Sequence, residues 1–357
     1  MSSRVLLYGA SGYTGREVAR RLAGSHLVLA GRAADRVRAV AEPLGLPWRA
    51  FALDDRPAMD AALADVGVVL HAAGPFETTA RPMLEACLRT ATHYLDLGGE
   101  WPVFLELLAA DAAAKAAGVM VMPGVGLTIV ATDCLMAMAV ERWPDTVRLR
   151  LGISRARVIT RGSVESAARL VGPDVLVRRG GQLERTPAGG LAHAFDFGAG
   201  LVEATAMSWA DVVTGEFTTG VGDIEVYSEL AWPGRAGYRA AALAMRLVGA
   251  SPWRKAGQAI AAAWPPGPSD AARERAQFVM VAEALDAWRR PRRLRMSTFD
   301  GYTTSVITAA AAVDRVLAGA HRPGFQTPAR VFGPEFILEA GGGELADQPR
   351  RFGGAAA

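Results

Sequence analysis

A short apolar run, Val5-Leu6-Leu7-Tyr8, breaks into Gly9-Ala10-Ser11-Gly12-Tyr13-Thr14-Gly15, and a helical pattern with Val18, Ala19 and Leu22 on one side follows at once. Glycines in this register between a strand and a helix each have a job. The first permits a tight turn, the second lets backbone approach a diphosphate, and the third lets the helix pack on the sheet. Backbone N–H groups at the helix N-terminus then face the phosphates, with the Ser11 and Thr14 hydroxyls and Tyr13 beside them. The competing reading is a glycine-rich turn that holds no ligand.

The first third of the chain continues the same alternation of short apolar runs and helical ones, as parallel sheet with crossover helices requires. Strands are expected at 26–30, 48–53, 66–72, 93–96 and 119–122, and helices at 14–23, 35–44, 59–63, 82–89 and 101–117. After a helix over 133–142 the character changes. Strands at 147–154, 175–178, 224–231, 278–284 and 293–299 suit a mostly antiparallel sheet, with Arg179-Gly180-Gly181-Gln182 as a hairpin turn. Helices at 237–248 and 253–263 precede Pro265-Pro266-Gly267-Pro268, a long helix covers 303–317, and the tail from 341 to 357 reads as frayed. The expected fold class is α/β, with an N-terminal Rossmann domain over 1–130 and an α+β second domain over 131–300.

With 357 residues, 51% of them hydrophobic, the chain is large enough for two folded domains. Net charge is only +3, and no basic run is interleaved with aromatics, so no nucleic-acid partner is expected despite a pI near 9.1. Cys87 and Cys134 form neither a disulfide framework nor a metal motif, and the histidines are scattered, so no metal is expected. The first strand starts within a few residues of Met1, leaving no room for a signal peptide. The most membrane-like stretch, 118–140, holds Pro123, Gly124, Gly126 and Asp133 and reads as strand, loop and helix. A soluble cytoplasmic protein is expected.

Cofactor choice is read after the second strand. An NAD site usually has an acid there for the ribose 2′-OH; this chain has Ala30-Gly31-Arg32 instead. Arg32, with Arg36 near it, suits a 2′-phosphate, so NADP(H) is the expected cofactor. Asp54 is placed either for the adenine edge or as a helix N-cap. At the fourth strand end, His71-Ala72-Ala73-Gly74-Pro75-Phe76 offers small residues along which a nicotinamide ribose can lie, so Ala73, Gly74, Pro75 and Phe76 join the cofactor set. His71 reads more readily as structural than as an acid. The fifth strand end supplies Tyr94 and Asp96 on one face and His93 on the other. Tyr94 and Asp96 are the catalytic candidates, since a reduced C=C or C=N needs a proton or electrostatic partner. The competing roles are packing for Tyr94 and a helix cap for Asp96.

No tyrosine is followed four residues later by lysine, so the acid of short-chain dehydrogenases is missing, and both cysteines look like packing residues. Taken in order, Gly9 to Gly15, Ala30-Gly31-Arg32, His71 to Phe76, His93 to Glu100, and Gly301-Tyr302 before an alanine-rich helix resemble the saccharopine dehydrogenase-like oxidoreductases, in particular their trans-acting enoyl reductase branch. The resemblance implies NADP as cofactor, a segment over 301–345 packing back on the Rossmann domain, and a homodimer through the second sheet. One departure stands out. Members of the family often carry Gly-Phe-Asp-Ser where this chain has Gly126-Leu127-Thr128-Ile129, with a following acid kept as Asp133.

The second domain offers Arg161 to Ser166 and Trp209 to Asp211 as loops, Thr218-Thr219-Gly220 before a strand, and Asp223 and Glu225 as solvated edge charges. The arginine-dotted helices of 237–263 read as surface packing, with a lid or a membrane-surface contact as the functional alternatives. The expected function is an NADPH-dependent reductase moving hydride to an enoyl C=C or imine C=N of a small or acyl-chain substrate. Two alternatives stay open: a saccharopine-type amino-acid dehydrogenase oxidising a C–N bond, and a catalytically silent NADP-binding scaffold.

Overall fold

The computed structural model describes residues 4–346 apart from 25, 171, 232, 250 and 266. Its first half runs β1 (Val5–Tyr8), α1 (Tyr13–Arg21), β2 (Leu27–Gly31), α2 (Ala34–Ala41), β3 (Trp48–Ala50), α3 (Arg56–Leu63), β4 (Val68–His71), α4 (Phe76–Thr90), β5 (His93–Asp96), α5 (Trp101–Ala109), α6 (Asp111–Ala116) and β6 (Met120–Met122). Strands β1, β2, β4 and β5 are buried along their whole length, as strands covered on both faces must be.

The long helix α7 (Leu127–Arg142) leads into β7 (Arg148–Ile153), α8 (Arg161–Leu170), β8 (Asp174–Arg179), β9 (Gln182–Pro187), β10 (Ala192–Asp196), β11 (Leu201–Ala206), α9 (Asp211–Thr219) and β12 (Asp223–Glu229). Then come α10 (Gly234–Val248), α11 (Ser251–Ala263), α12 (Asp270–Glu274), β13 (Phe278–Leu285), β14 (Pro291–Thr298) and α13 (Gly301–Leu317). The chain closes with β15 (Gly324–Phe325), α14 (Pro328–Phe332), α15 (Phe336–Glu339) and β16 (Gly343–Leu345).

The first sheet is wholly parallel, in the order β15-β6-β5-β4-β1-β2-β3. The path leaves β1 in opposite directions on its two sides, so a crevice opens at the carboxyl ends of β1 and β4, where open α/β sheets bind ligands. The second sheet follows β10-β11-β12-β7-β13-β14-β16, with the β8–β9 hairpin attached through β12. Its pairings are antiparallel except β12 with β7. Gly180 and Gly181, both at positive φ, make the hairpin turn expected from the sequence. From the C-terminal segment, β15 pairs with β6 of the first sheet.

Several expectations need correction. Helix α4 starts at Phe76 rather than Pro82, because Phe76 is buried against His71 and Pro82 is carried inside the helix. Helix α7 starts at Leu127, and its residues from Leu127 to Ala139 are largely buried, so no polar stripe marks its start. The expected break at residue 130 falls inside it. The Arg161–Ser166 loop is the start of α8, and Asp211 opens α9. Asp223 and Glu225 sit on an inner strand, where they pair with Arg148 and Arg150. Gly343–Leu345 pairs with β14 instead of fraying, and residues 347–357 lie outside the described ones.

Candidate functional site

Gly9 adopts φ +90°, and a Cβ there would lie 2.7 Å from the Ala73 backbone nitrogen. A Cβ on Gly15 would fall onto the Gly9 carbonyl oxygen. The loop is therefore pressed between the exit of β4 and the first turn of α1, a shape that only hydrogen at those positions permits. Gly12 is the N-cap of α1 without a side-chain cap, and no acid occupies the first turn. The positive end of the helix is left unshielded. Among the described residues the Ser11 and Thr14 hydroxyls have no partner. This cradle fits a diphosphate. Tyr13 is used differently from the expectation: its hydroxyl donates to the Pro268 carbonyl at 2.9 Å, and its ring meets Tyr302 edge-on at 5.3 Å. Only its backbone N–H is left for a phosphate.

Arg32 and Arg36 are exposed beyond β2 and have no ion-pair partner among the described residues, whereas their neighbour Arg38 is 2.9 Å from Asp35. Burial pushes the Tyr8 hydroxyl up to about 12, with Arg32 pulling it down and Asp54 pushing it up, so both charges border the same end of the crevice. The cap of α3 is Asp55, which accepts from the Ala58 N–H at 3.0 Å. Asp54 is exposed and free of that duty.

Past β4, His71 is fully buried, with Nε2 3.0 Å from the Thr79 hydroxyl, and burial pushes it down to about 3. A neutral ring wedged between Tyr8, Phe76 and Tyr94 supports the structural reading. Ala72 and Ala73 put bare backbone beside Gly9, and Gly74, Pro75 and Phe76 continue the wall to Gly98, where a Cβ would be 3.3 Å from the Phe76 ring.

Tyr94 and Asp96 do share a face, and both are sealed, at 0% exposure. The Tyr94 hydroxyl donates to Asp96 Oδ2 at 2.7 Å, while Asp96 Oδ1 accepts from the N–H groups of Gly98 and Gly124, each at 2.8 Å. Burial pushes the Asp96 carboxyl up to about 6 against these hydrogen bonds. The tyrosine, buried beside that carboxylate, is held well above its ordinary range. The pair fixes two loops at the mouth of the crevice. Asp96 does not cap α5, whose N-cap residue is Glu100. His93 points the other way, accepting from Met120 N–H through Nδ1 and stacking on His321.

The other wall of the cleft comes from Arg161 to Ser166, a stretch the sequence offered as candidate contacts but as a loop without an assigned role. Thr160 caps α8 through Ser163, and Ser163 and Ser166 lie three residues apart on one helix face. Ser163 Oγ is 3.0 Å from the Tyr302 hydroxyl, which also accepts from Thr160 N–H at 2.6 Å. Ser166 donates at 2.7 Å to Glu100, whose other oxygen accepts from Gly99 N–H at 2.9 Å. Helix α8 thus bridges the glycine-loop side of the crevice and the β5 loop. The Thr-x-x-Ser cap followed by a second serine was the available signal. Two arginines at this wall make contacts within the protein. Arg161 donates to the Trp264 carbonyl at 2.8 Å, and Arg273 donates to the Thr303 hydroxyl at 2.8 Å with Asp300 beside it.

The departing segment splits in two. The Thr128 hydroxyl faces Gly99, whose Cβ would lie 3.2 Å from it, while Ile129 is buried against Gly124. Asp133 takes no part in the cleft: it binds Thr218 and the Ala329 N–H and ties α7 to α9 and α14. Cys87 and Cys134 are buried, and burial pushes both thiols up.

Residues 5–122 match the family Saccharopine dehydrogenase NADP binding domain. A trans-acting enoyl reductase of Mycobacterium leprae is 37% identical over 105 residues, which is 27% of this chain and 25% of that protein. Its counterpart in Mycobacterium tuberculosis strain H37Rv is 36% identical over the same share of each. The matched stretch spans about a quarter of the length of these relatives. Saccharopine dehydrogenase (L-Glu forming) from Saccharomyces cerevisiae superposes with a TM-score of 0.63 at 14% identity, covering 96% of this chain and 99% of that one. A homospermidine synthase from Legionella pneumophila, solved with NAD, gives 0.60 at 9% identity over 97% and 92%. Those two likenesses are of fold. Crevice and sheet order together define a two-sheet protein built on a dinucleotide-binding domain. More narrowly, residues 5–122 are similar to the saccharopine dehydrogenase NADP-binding domain, and the chain as a whole shares the fold of saccharopine dehydrogenase.

Proposed function

We propose that the chain is an NADPH-dependent reductase acting on an enoyl C=C or imine C=N bond of a small or acyl-chain metabolite. The observation that carries this reading is the character of the cleft wall. Opposite the glycine loop it presents the hydroxyls of Ser163, Ser166 and Tyr302, while Arg273 is tied to Thr303 and Asp300 and Arg161 gives its Nε to the Trp264 carbonyl, so hydroxyls and not a cluster of guanidinium forks dominate this wall. A substrate with several carboxylates needs free guanidinium forks, and a neutral unsaturated one does not. The trans-acting enoyl reductases, which match the N-terminal stretch, favour the C=C member of the pair.

In this reading the Gly9–Gly15 loop and the α1 N-terminus hold the diphosphate, Arg32 with Arg36 holds the 2′-phosphate, and Asp54 meets the adenine edge. Bound NADPH supplies the hydride. Ala73, Gly74, Pro75 and Phe76 form the surface along the nicotinamide ribose. Tyr94 and Asp96 are positioning residues that hold Gly98 and Gly124 in place. Tyr302, with Ser163 and Thr160 behind it, is the proton donor, since its hydroxyl is part of a hydroxyl chain able to replace the proton it gives up.

The test is turnover of an enoyl thioester and of a cyclic imine, followed by loss of NADPH. Tyr302→Phe is expected to lower kcat roughly a hundredfold while leaving NADPH binding intact. Tight NADPH binding with turnover of neither substrate would instead support the silent scaffold. Reduction of NADP by an amino acid would support the dehydrogenase.

A further inference from the structure

Between Glu229 and Asp270 the sequence has no acidic residue and five basic ones, Arg235, Arg239, Arg246, Arg254 and Lys255. This segment forms α10 and α11, and each helix turns a large apolar stripe to the outside. In α10 the inward face is Ala242 and Met245, packed with Tyr238 on the second sheet. Leu243 and Leu247, one turn apart, stand 60% and 80% exposed, with Val248 at 64%. In α11 the inward face includes Gly257, whose Cβ would meet Ala168 of α8. Trp253 and Ile260 project outward at seven-residue spacing, and Trp264 follows at the end of the helix. Helical apolar stripes on a monomer are normally turned inward, and side chains of this size left outside mark a binding surface.

The charges select the occupant. Arg235 pairs with Glu203 and Arg246 with Asp174, while Arg239 and Lys255 are exposed with no partner among the described residues. A second copy laid symmetrically on this face would set like charges against each other. An anionic lipid surface offers both an apolar layer and counter-charge, and tryptophan suits the boundary between them. No helix among the described residues is long and apolar enough to cross a membrane, so the contact is a surface one. We propose that α10 and α11 form a membrane-surface docking face for anionic lipid. The face adjoins the cleft, because the Trp264 carbonyl at the end of α11 accepts from Arg161 at the start of α8.

The experiment is co-sedimentation of the full-length protein with vesicles of phosphatidylcholine alone or mixed with phosphatidylglycerol. Binding is expected on the mixed vesicles, weakening as salt rises, and at least roughly tenfold weaker on phosphatidylcholine alone. Leu243→Ser with Leu247→Ser, and separately Arg239→Glu with Lys255→Glu, should each weaken it roughly tenfold or more. Unchanged NADPH affinity in these variants shows that they are folded. If the leucine pair does not fold, quenching of Trp253 fluorescence by brominated lipid, lost in Trp253→Phe, gives the same reading. Failure to bind mixed vesicles at low salt overturns the proposal, and so does binding that neither double variant weakens. Light scattering that shows self-association abolished by the leucine substitutions, without vesicle binding, assigns the face to a second copy and overturns it as well.

Discussion

The two sheets handle polarity in opposite ways. The parallel sheet is apolar throughout β1, β2 and most of β4, and its polar groups collect where the strands end. In the second sheet charge runs through the middle. Glu283 on β13 is 1% exposed and receives Arg150 from β7 at 3.1 Å, Arg293 from β14 at 2.7 Å and His193 from β10 at 3.1 Å. On β12, the other side of β7, Glu225 takes Arg150 and the Tyr227 hydroxyl. Burial alone would raise the Glu283 carboxyl, yet Arg293, His193 and Arg150 hold it below its ordinary value. In one half, then, charged groups at the strand ends such as Arg32, Arg36 and Asp54 have no ion-pair partner among the described residues. In the other they are consumed in specifying which strands lie together, the role with the best precedent for buried ion pairs.

That contrast predicts a crossover between stability and binding. Glu283→Leu leaves the Arg150 and Arg293 guanidinium groups around a lost anion and should lower unfolding stability by about 3 kcal/mol, seen as a fall in Cm with NADPH affinity preserved in the folded fraction. If Glu283→Leu instead abolished NADPH binding in folded protein, the division of labour would fail. Asp211 sharpens the comparison from the junction of the halves. It is fully buried where α9 meets α7, and burial pushes its carboxyl up to about 7. The unfolded chain releases this proton near pH 4, so the group's contribution to stability declines from about pH 4 to about pH 7 and is flat above. Asp211→Asn should therefore raise stability by about 2 kcal/mol at pH 8 and by little at pH 4, measured by urea unfolding at both. The smallest effect belongs to the first half. Arg32→Ala should weaken NADPH by roughly tenfold, about 1.4 kcal/mol, with NADH affinity and Tm unmoved; equal loss for both nucleotides would refute its 2′-phosphate role.

Most of the first sheet was legible in the sequence because its signals are local. A glycine loop, a strand of a few apolar residues and a helix with one apolar face are all written within a dozen positions. The C-terminal return to that sheet was legible only through family resemblance, since the pairing of Gly324 and Phe325 with β6 is a long-range event. The second sheet was harder. Strands β10 and β11 are only partly buried and alternate weakly, so Ala192–Asp196 and Leu201–Ala206 gave no clear period. The charges of Asp223 and Glu225 looked like solvated edges because their partners lie on strands far away in sequence. At the cleft, types were readable and directions were not: Tyr94 and Asp96 do lie on one face, but only the fold shows them closed over by Gly98 and Gly124. Helix α8, with its serines, was hidden in a stretch that looked like a loop.

The last few dozen residues close both sheets, with β15 alongside β6 and β16 alongside β14. During synthesis this has a consequence for timing. While Gly324 and Gly343 are still inside the ribosome, the emerged chain holds two unfinished sheets, each with a bare strand edge open to any neighbouring polypeptide. The stretch from β15 to β16 reaches both edges within some twenty residues. Both halves therefore stay open to edge-to-edge misassembly until that one stretch has emerged, and both are completed at nearly the same moment.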